Sequence, residues 1–93
     1  MKLKIIDIKE SRSEHKIAVF KLQVNDEEKF VWQAISPISP IARAILQVLG
    51  IEFQDTIDSN DLIGREFILN AILHERIERY RDENVIRYSL ELK

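Results

Sequence analysis

Between Lys16 and Val24 the chain alternates: Ala18, Phe20, Leu22 and Val24 fall on one side of an extended backbone, and Ile17, Val19, Lys21 and Gln23 on the other. A period of two is the signature of a strand with one buried face, and the first set marks the core side. Asn25-Asp26-Glu27-Glu28 supplies turn chemistry, and Lys29 to Ile35, aromatic and β-branched, completes a hairpin. In this third strand Phe30, Trp32 and Ala34 share one face while Val31 and Ile35 occupy the other, so parity leaves open which side is buried. Lys2 to Ile8 reads as the first strand, and its Ile5-Ile6 pair breaks the alternation where a bulge would. A polar run, Glu10 to His15, predicts the loop to the second strand.

Ser36-Pro37-Ile38-Ser39-Pro40 ends the sheet pattern, because each proline removes a backbone donor and steers the residue before it away from helical angles. The same segment starts a helix, with Ser39 as N-cap and Pro40 in the first turn, where a missing N–H costs nothing. Ile41, Ala44, Ile45, Val48 and Leu49 recur at helical spacing, and Gly50 stands where a left-handed cap belongs. Beyond an ordered loop carrying Phe53 and Ile57, Asp61 to Gly64 predicts a tight turn into a long, bent strand from Arg65 to about Arg79, in which Phe67, Leu69, Ala71 and Leu73 alternate with Glu66, Ile68, Asn70, Ile72 and His74. A helix over this stretch is the rival reading, since Leu69 to Arg79 contains good helix formers at roughly helical spacing. Tyr80 to Asn84 is a second turn, and Val85 to Leu92 alternates Ile86, Tyr88, Leu90 and Leu92 against Val85, Arg87, Ser89 and Glu91.

Three strands, a helix between strands 3 and 4, and a closing hairpin predict one α+β, mainly β domain over residues 1–93. Its expected architecture is a five-stranded OB-like barrel, the partly open Greek key. A barrel also suits strands with apolar residues on both faces, because closure removes edges. With 93 residues there is material for one core, and 45% apolar with 32% charged residues is a globular balance. The lack of any bilayer-length apolar run or signal-peptide pattern makes the cytoplasm the expected address, with no membrane partner. The absence of cysteine removes disulfides, thiolate catalysis and cysteine-ligated zinc. His15 and His74 show no metal-ligand spacing, and no Gly-rich phosphate loop or nucleophilic triad context appears. The chain is therefore read as non-catalytic, with no metal and no cofactor.

The run from Ser39 to Ile51, SPIARAILQVLGI, followed by Asp58 to Phe67, DSNDLIGREF, resembles the middle of small phage-encoded OB-fold proteins related to single-stranded-DNA-binding and recombination-accessory proteins. In those families a helix ending in Leu-Gly similarly leads through an acidic spacer and a Leu-hydrophobic-Gly-basic turn into a long strand paired with the last one. The chain departs from them in having no glycine in its first two loops and no extended acidic tail. The resemblance implies a phage-like or mobile-element module that binds single-stranded nucleic acid, single-stranded DNA first.

OB-folds bind such ligands on the strand 2–3 face and on the loops joining strands 1 to 2 and 4 to 5. The net charge of −2 supplies no general attraction to a polyanion, so a local patch must carry it. In the expected places stand Arg12 and Lys16 in the first loop, Lys21 on the strand face, Arg79, Tyr80 and Arg81 in the last loop, and Arg87 beside it. Trp32, Phe30 and Tyr80 are the available stacking platforms; Phe30 is assigned to the core, and a core or rim position is the competing role for Trp32. Against this, Glu75, Glu78, Asp82, Glu83 and Glu91 interleave with the arginines, and exposed pairs of that kind stabilise little. The alternative is a protein-protein interaction or assembly domain, with a homo-oligomer as one form of it, suggested by the acidic balance and the β-branched residues on both strand faces.

Overall fold

The computed structural model describes residues 1–10, 18–52 and 59–93. Arg12, Lys16, Phe53 and Ile57 lie outside the described residues. In chain order the elements are β1 (Lys2–Glu10), β2 (Ala18–Val24), β3 (Phe30–Ile35), α1 (Pro40–Leu49), the one-turn α2 (Ser59–Leu62), β4 (Glu66–Ile68), β5 (Ala71–Tyr80) and β6 (Glu83–Leu92). They build two antiparallel sheets, one ordered β3-β2-β1-β4 and the other the hairpin β5-β6.

The alternation along β2 becomes burial as its period requires: Ala18, Phe20, Leu22 and Val24 are buried, and Val19, Lys21 and Gln23 are not. In β1 the register jumps between Ile5, opposite Leu22, and Asp7, opposite Lys21, so Ile6 is the extra residue of a bulge. That insertion keeps Leu3 and Ile5 inward before it and turns Ile8, opposite Phe20, inward after it. The β2–β3 loop turns at Asn25 and Asp26, whose φ values of 50° and 59° suit the primed turn of a hairpin. Asn25 also ties this loop to β1: its N–H donates to the Lys2 carbonyl at 2.9 Å and its Oδ1 accepts from the Lys2 N–H at 3.0 Å.

Helix α1 begins and ends where its residues dictate. Ser39 Oγ accepts from the Ala42 N–H at 3.3 Å, Pro40 follows, and Gly50 adopts φ 74° so that the Ile51 N–H can donate to the Leu46 carbonyl at 2.9 Å. Its buried face is Ala42, Ile45, Leu46 and Leu49, rotated part of a turn from the face its spacing predicts. Val48 is consequently half exposed, with Ile41 and Ala44 on the flank. Burying Leu46 in place of Val48 puts the larger side chain inside, and the small Ala42 lets the helix backbone approach the sheet.

Two expectations need correction. The long fourth strand is a strand and not a helix, but it divides at Leu69-Asn70 into β4, which pairs with β1, and β5, which pairs only with β6 among the described residues. Six strands therefore replace five. The barrel is also not closed: β6 lies against β3 with no hydrogen-bond ladder between them. The core, led by Phe20, Leu3, Ile5, Leu22, Ile35, Ile45 and Leu46, sits between the inner face of the four-stranded sheet and α1. Leu73, Tyr88, Leu90 and Leu92, at the base of the hairpin, pack against it. No helix among the described residues is long and apolar enough to cross a membrane.

Candidate functional site

The register settles the face of β3. Val31 and Ile35 are buried, whereas Trp32 is 45% exposed and Phe30 half-buried on the outer face. Phe30 is thus a surface-face residue and not the core residue its type suggested. Lys21 stands directly opposite Trp32 in the β2–β3 ladder, and Gln23 opposite Phe30. The Lys21 ammonium rests over both rings, 4.9 Å from the Phe30 centroid and 5.3 Å from that of Trp32. From β1, Lys9 reaches the other part of the same surface, 4.7 Å from the Trp32 ring. Exposed contacts of this kind hold about 0.5–1 kcal/mol each, enough to bias a lysine and little enough to release it.

Lys9 was missed by the sequence reading, and its signal was present. Once one bulge residue is allowed at Ile6, Lys2, Lys4, Asp7 and Lys9 all fall on the outer face, because the extra residue shifts the parity by one. Lys2 is neutralised there by Asp26 at 2.9 Å and Glu66 at 3.5 Å, and the Asp26 carboxylate holds its ammonium pKa above the ordinary lysine value. Lys4, Lys9 and Lys21 have no acidic partner among the described residues.

Beside this face a groove of about 490 Å³ runs between the body and the hairpin, lined by Lys21, Phe30 and Trp32 on one side and Val85, Ile86, Arg87 and Tyr88 on the other, with Glu28 at one end. Its volume lies within the range of small-molecule sites, but it is open, as suits an extended ligand. The structure thus brings Lys21, Trp32 and Arg87 to one groove with Phe30, and Lys9 onto the Trp32 ring.

Arg79, Tyr80 and Arg81 do not join them; they stand at the tip of the hairpin. Arg81 and Asp82, with φ of 49° and 63°, form its two-residue turn. Tyr80 is 58% exposed with the Arg81 guanidinium 5.3 Å from its ring, and Arg79 lies 3.4 Å from Asp82. Arg87 is also less free than its position suggests. It faces Arg76 across the ladder, a like-charge pair that Glu78 relieves by contacting Arg76 and lying 2.6 Å from Arg87. The two guanidinium groups, Arg76 first, hold the Glu78 carboxyl below the usual carboxylate range. On the same face His74 contacts Glu91, and no cluster of metal-ligating side chains occurs among the described residues.

Comparison of the chain with protein-family models, with curated proteins and with solved structures finds no match.

Proposed function

We propose that the domain is a non-catalytic module that binds single-stranded nucleic acid, DNA first, across the outer face of β1–β3 and along the groove against β6. The observation that carries this reading is the pair Lys9 and Lys21, without an acidic partner among the described residues, lying on the rings of Trp32 and Phe30 on an exposed sheet face. A strand of nucleic acid needs both components at once: planar faces for bases, at about 1–3 kcal/mol per stacked base, and mobile cations for phosphates. An arriving base takes the ring, and the lysine it displaces swings to the phosphate. Arg87 on the far wall supplies a further cation near the same path. Treating β4 and β5 as halves of one bent strand gives the order β3-β2-β1-β4/β5-β6 with β6 returning to β3, which is the strand order of an OB-fold with its seam unpaired. That order supports placing the ligand on the β2–β3 face.

Trp32 is the only tryptophan, so its fluorescence reports this face alone. Titration with a short mixed-sequence oligonucleotide is expected to give saturable quenching that weakens from low to physiological salt. Lys9→Ala and Lys21→Ala should each flatten the logarithmic salt dependence by about 0.7, the value for one lost phosphate contact on a single strand. Unchanged fluorescence, together with unchanged anisotropy of a labelled oligonucleotide at low salt, overturns the proposal.

A further inference from the structure

The outer edge of β5 has no strand partner among the described residues. The ladder of β1 with β4 reaches its last bond where the Leu69 N–H donates to the Met1 carbonyl, and β5 continues beyond it. Which backbone groups β5 offers follows from its turn. Arg81-Asp82 is a two-residue turn closed by Tyr80 opposite Glu83, so that pair is hydrogen-bonded. Antiparallel bonding alternates, which directs the N–H and C=O of Glu78, Arg76 and His74 toward β6 and those of Arg79, Ile77, Glu75 and Leu73 outward.

We propose that a second copy of this chain pairs along this edge, β5 against β5 in antiparallel sense, with the two-fold axis at Ile77. Both copies offer outward groups at the same odd-numbered positions, so hydrogen-bond parity restricts the axis to one residue or another of the strand. Charge then selects among them. An axis at Glu75, Arg76, Glu78 or Arg79 sets that residue's charge against its own copy. An axis at Ile77 sets Ile77 on Ile77, Glu75 on Arg79, Arg76 on Glu78 and His74 on Tyr80, so that every charged position from 75 to 79 meets its opposite.

The apolar surface agrees with the same axis. Ile77 is 69% exposed and faces Ile86, 52% exposed, across the hairpin on the side that at its base packs on the core. In the pair, the sheet becomes four strands, β6-β5-β5-β6, and those residues form one row of four isoleucines. An edge strand can carry charges merely to repel other edges. Here the signs run in the order that a copy of the strand accepts. The backbone pairing uses the edge of β5 away from β6, and of the isoleucine row only Ile86 also lines the groove.

Sedimentation velocity from micromolar to millimolar concentration tests the proposal, with a reversible shift expected toward twice the 11.0 kDa chain mass. Glu75→Arg and Arg79→Glu should each weaken the dimer about tenfold, because each replaces two attractive contacts by two repulsive ones. The double swap should return it to within about threefold of the unaltered chain. Circular dichroism checks that the variants fold. Since the chain has no cysteine, Ile77→Cys gives a second readout: opposed on the axis at about 5.5 Å between Cα atoms, the thiols should cross-link under mild oxidation much faster than those of Ser89→Cys. A monomer at millimolar concentration, a dimer indifferent to the single reversals, a double swap that fails to restore it, or cross-linking at residue 77 no faster than at residue 89 each overturns the proposal.

Discussion

The four-stranded sheet and the β5-β6 hairpin are written in the same alternating pattern and come to opposite ends. Along β2 every second residue is buried, whereas along β5 only Ala71 is fully so, and β6 is no more than half-buried at Tyr88, Leu90 and Leu92. Alternation states which side chains share a face; a second layer decides whether that face is covered. Helix α1 covers the sheet, and the core covers only the base of the hairpin. The body is therefore held by apolar burial, and the outer hairpin by its turn, its ladder and exposed ion pairs.

Truncation should separate the two regions most widely. Phe20→Ala in the body, with no exposure in the native state, should cost about 3–5 kcal/mol in urea unfolding. Ile77→Ala in the hairpin, measured on dilute monomer, should stay within about 0.5 kcal/mol. A hairpin substitution as costly as the core one would show that the outer hairpin is packed in solution. Next in size are the ends of α1. Ser39→Ala should lose about 1 kcal/mol with its capping bond. Gly50→Ala should cost a similar amount through φ alone, since an added Cβ meets nothing within 4 Å.

These elements also show how far the sequence could be read. The β2 core face, the hairpin turns, the β1 bulge and both caps of α1 depend on local chemistry and stand where Phe20, Asn25, Arg81, Ser39 and Gly50 imply. The outward face of Trp32, the rotation of α1 toward Leu46 and the unpaired β3–β6 seam depend on what packs opposite, which no local spacing records. The candidate site divides the same way. Alternation puts Lys21 on the outer face of β2, and parity leaves Trp32 open until the packing of β3 is known. Lys9 emerges only when the bulge is carried through the register, and the ten-residue strands β5 and β6 carry Arg79, Tyr80 and Arg81 to a tip apart from the sheet face.

The smallest expected effect separates the regions by pH. Arg76 and Arg87 depress the Glu78 carboxyl in the folded state, so its stabilising contribution is present above the unfolded pKa and is lost as pH falls through the lower folded value. Acid titration followed by NMR should move the Hα shifts of Arg76, Ile77 and Arg87 toward their random-coil positions before those of Phe20 and Leu22. Simultaneous movement would place the stabilisation of the outer hairpin elsewhere.

The unpaired seam has a consequence for how the molecule comes apart. Where a strand is shared between sheets, opening one sheet strips bonds from the other, and amide exchange proceeds through one cooperative transition. Here the two sheets have no ladder in common, and the covalent path between β4 and β5 is only Leu69-Asn70. The outer-hairpin amides are therefore expected to exchange by sub-global opening, while the slowest amides of the body, whose core also takes in Leu69 and Ala71, exchange only when the whole domain unfolds.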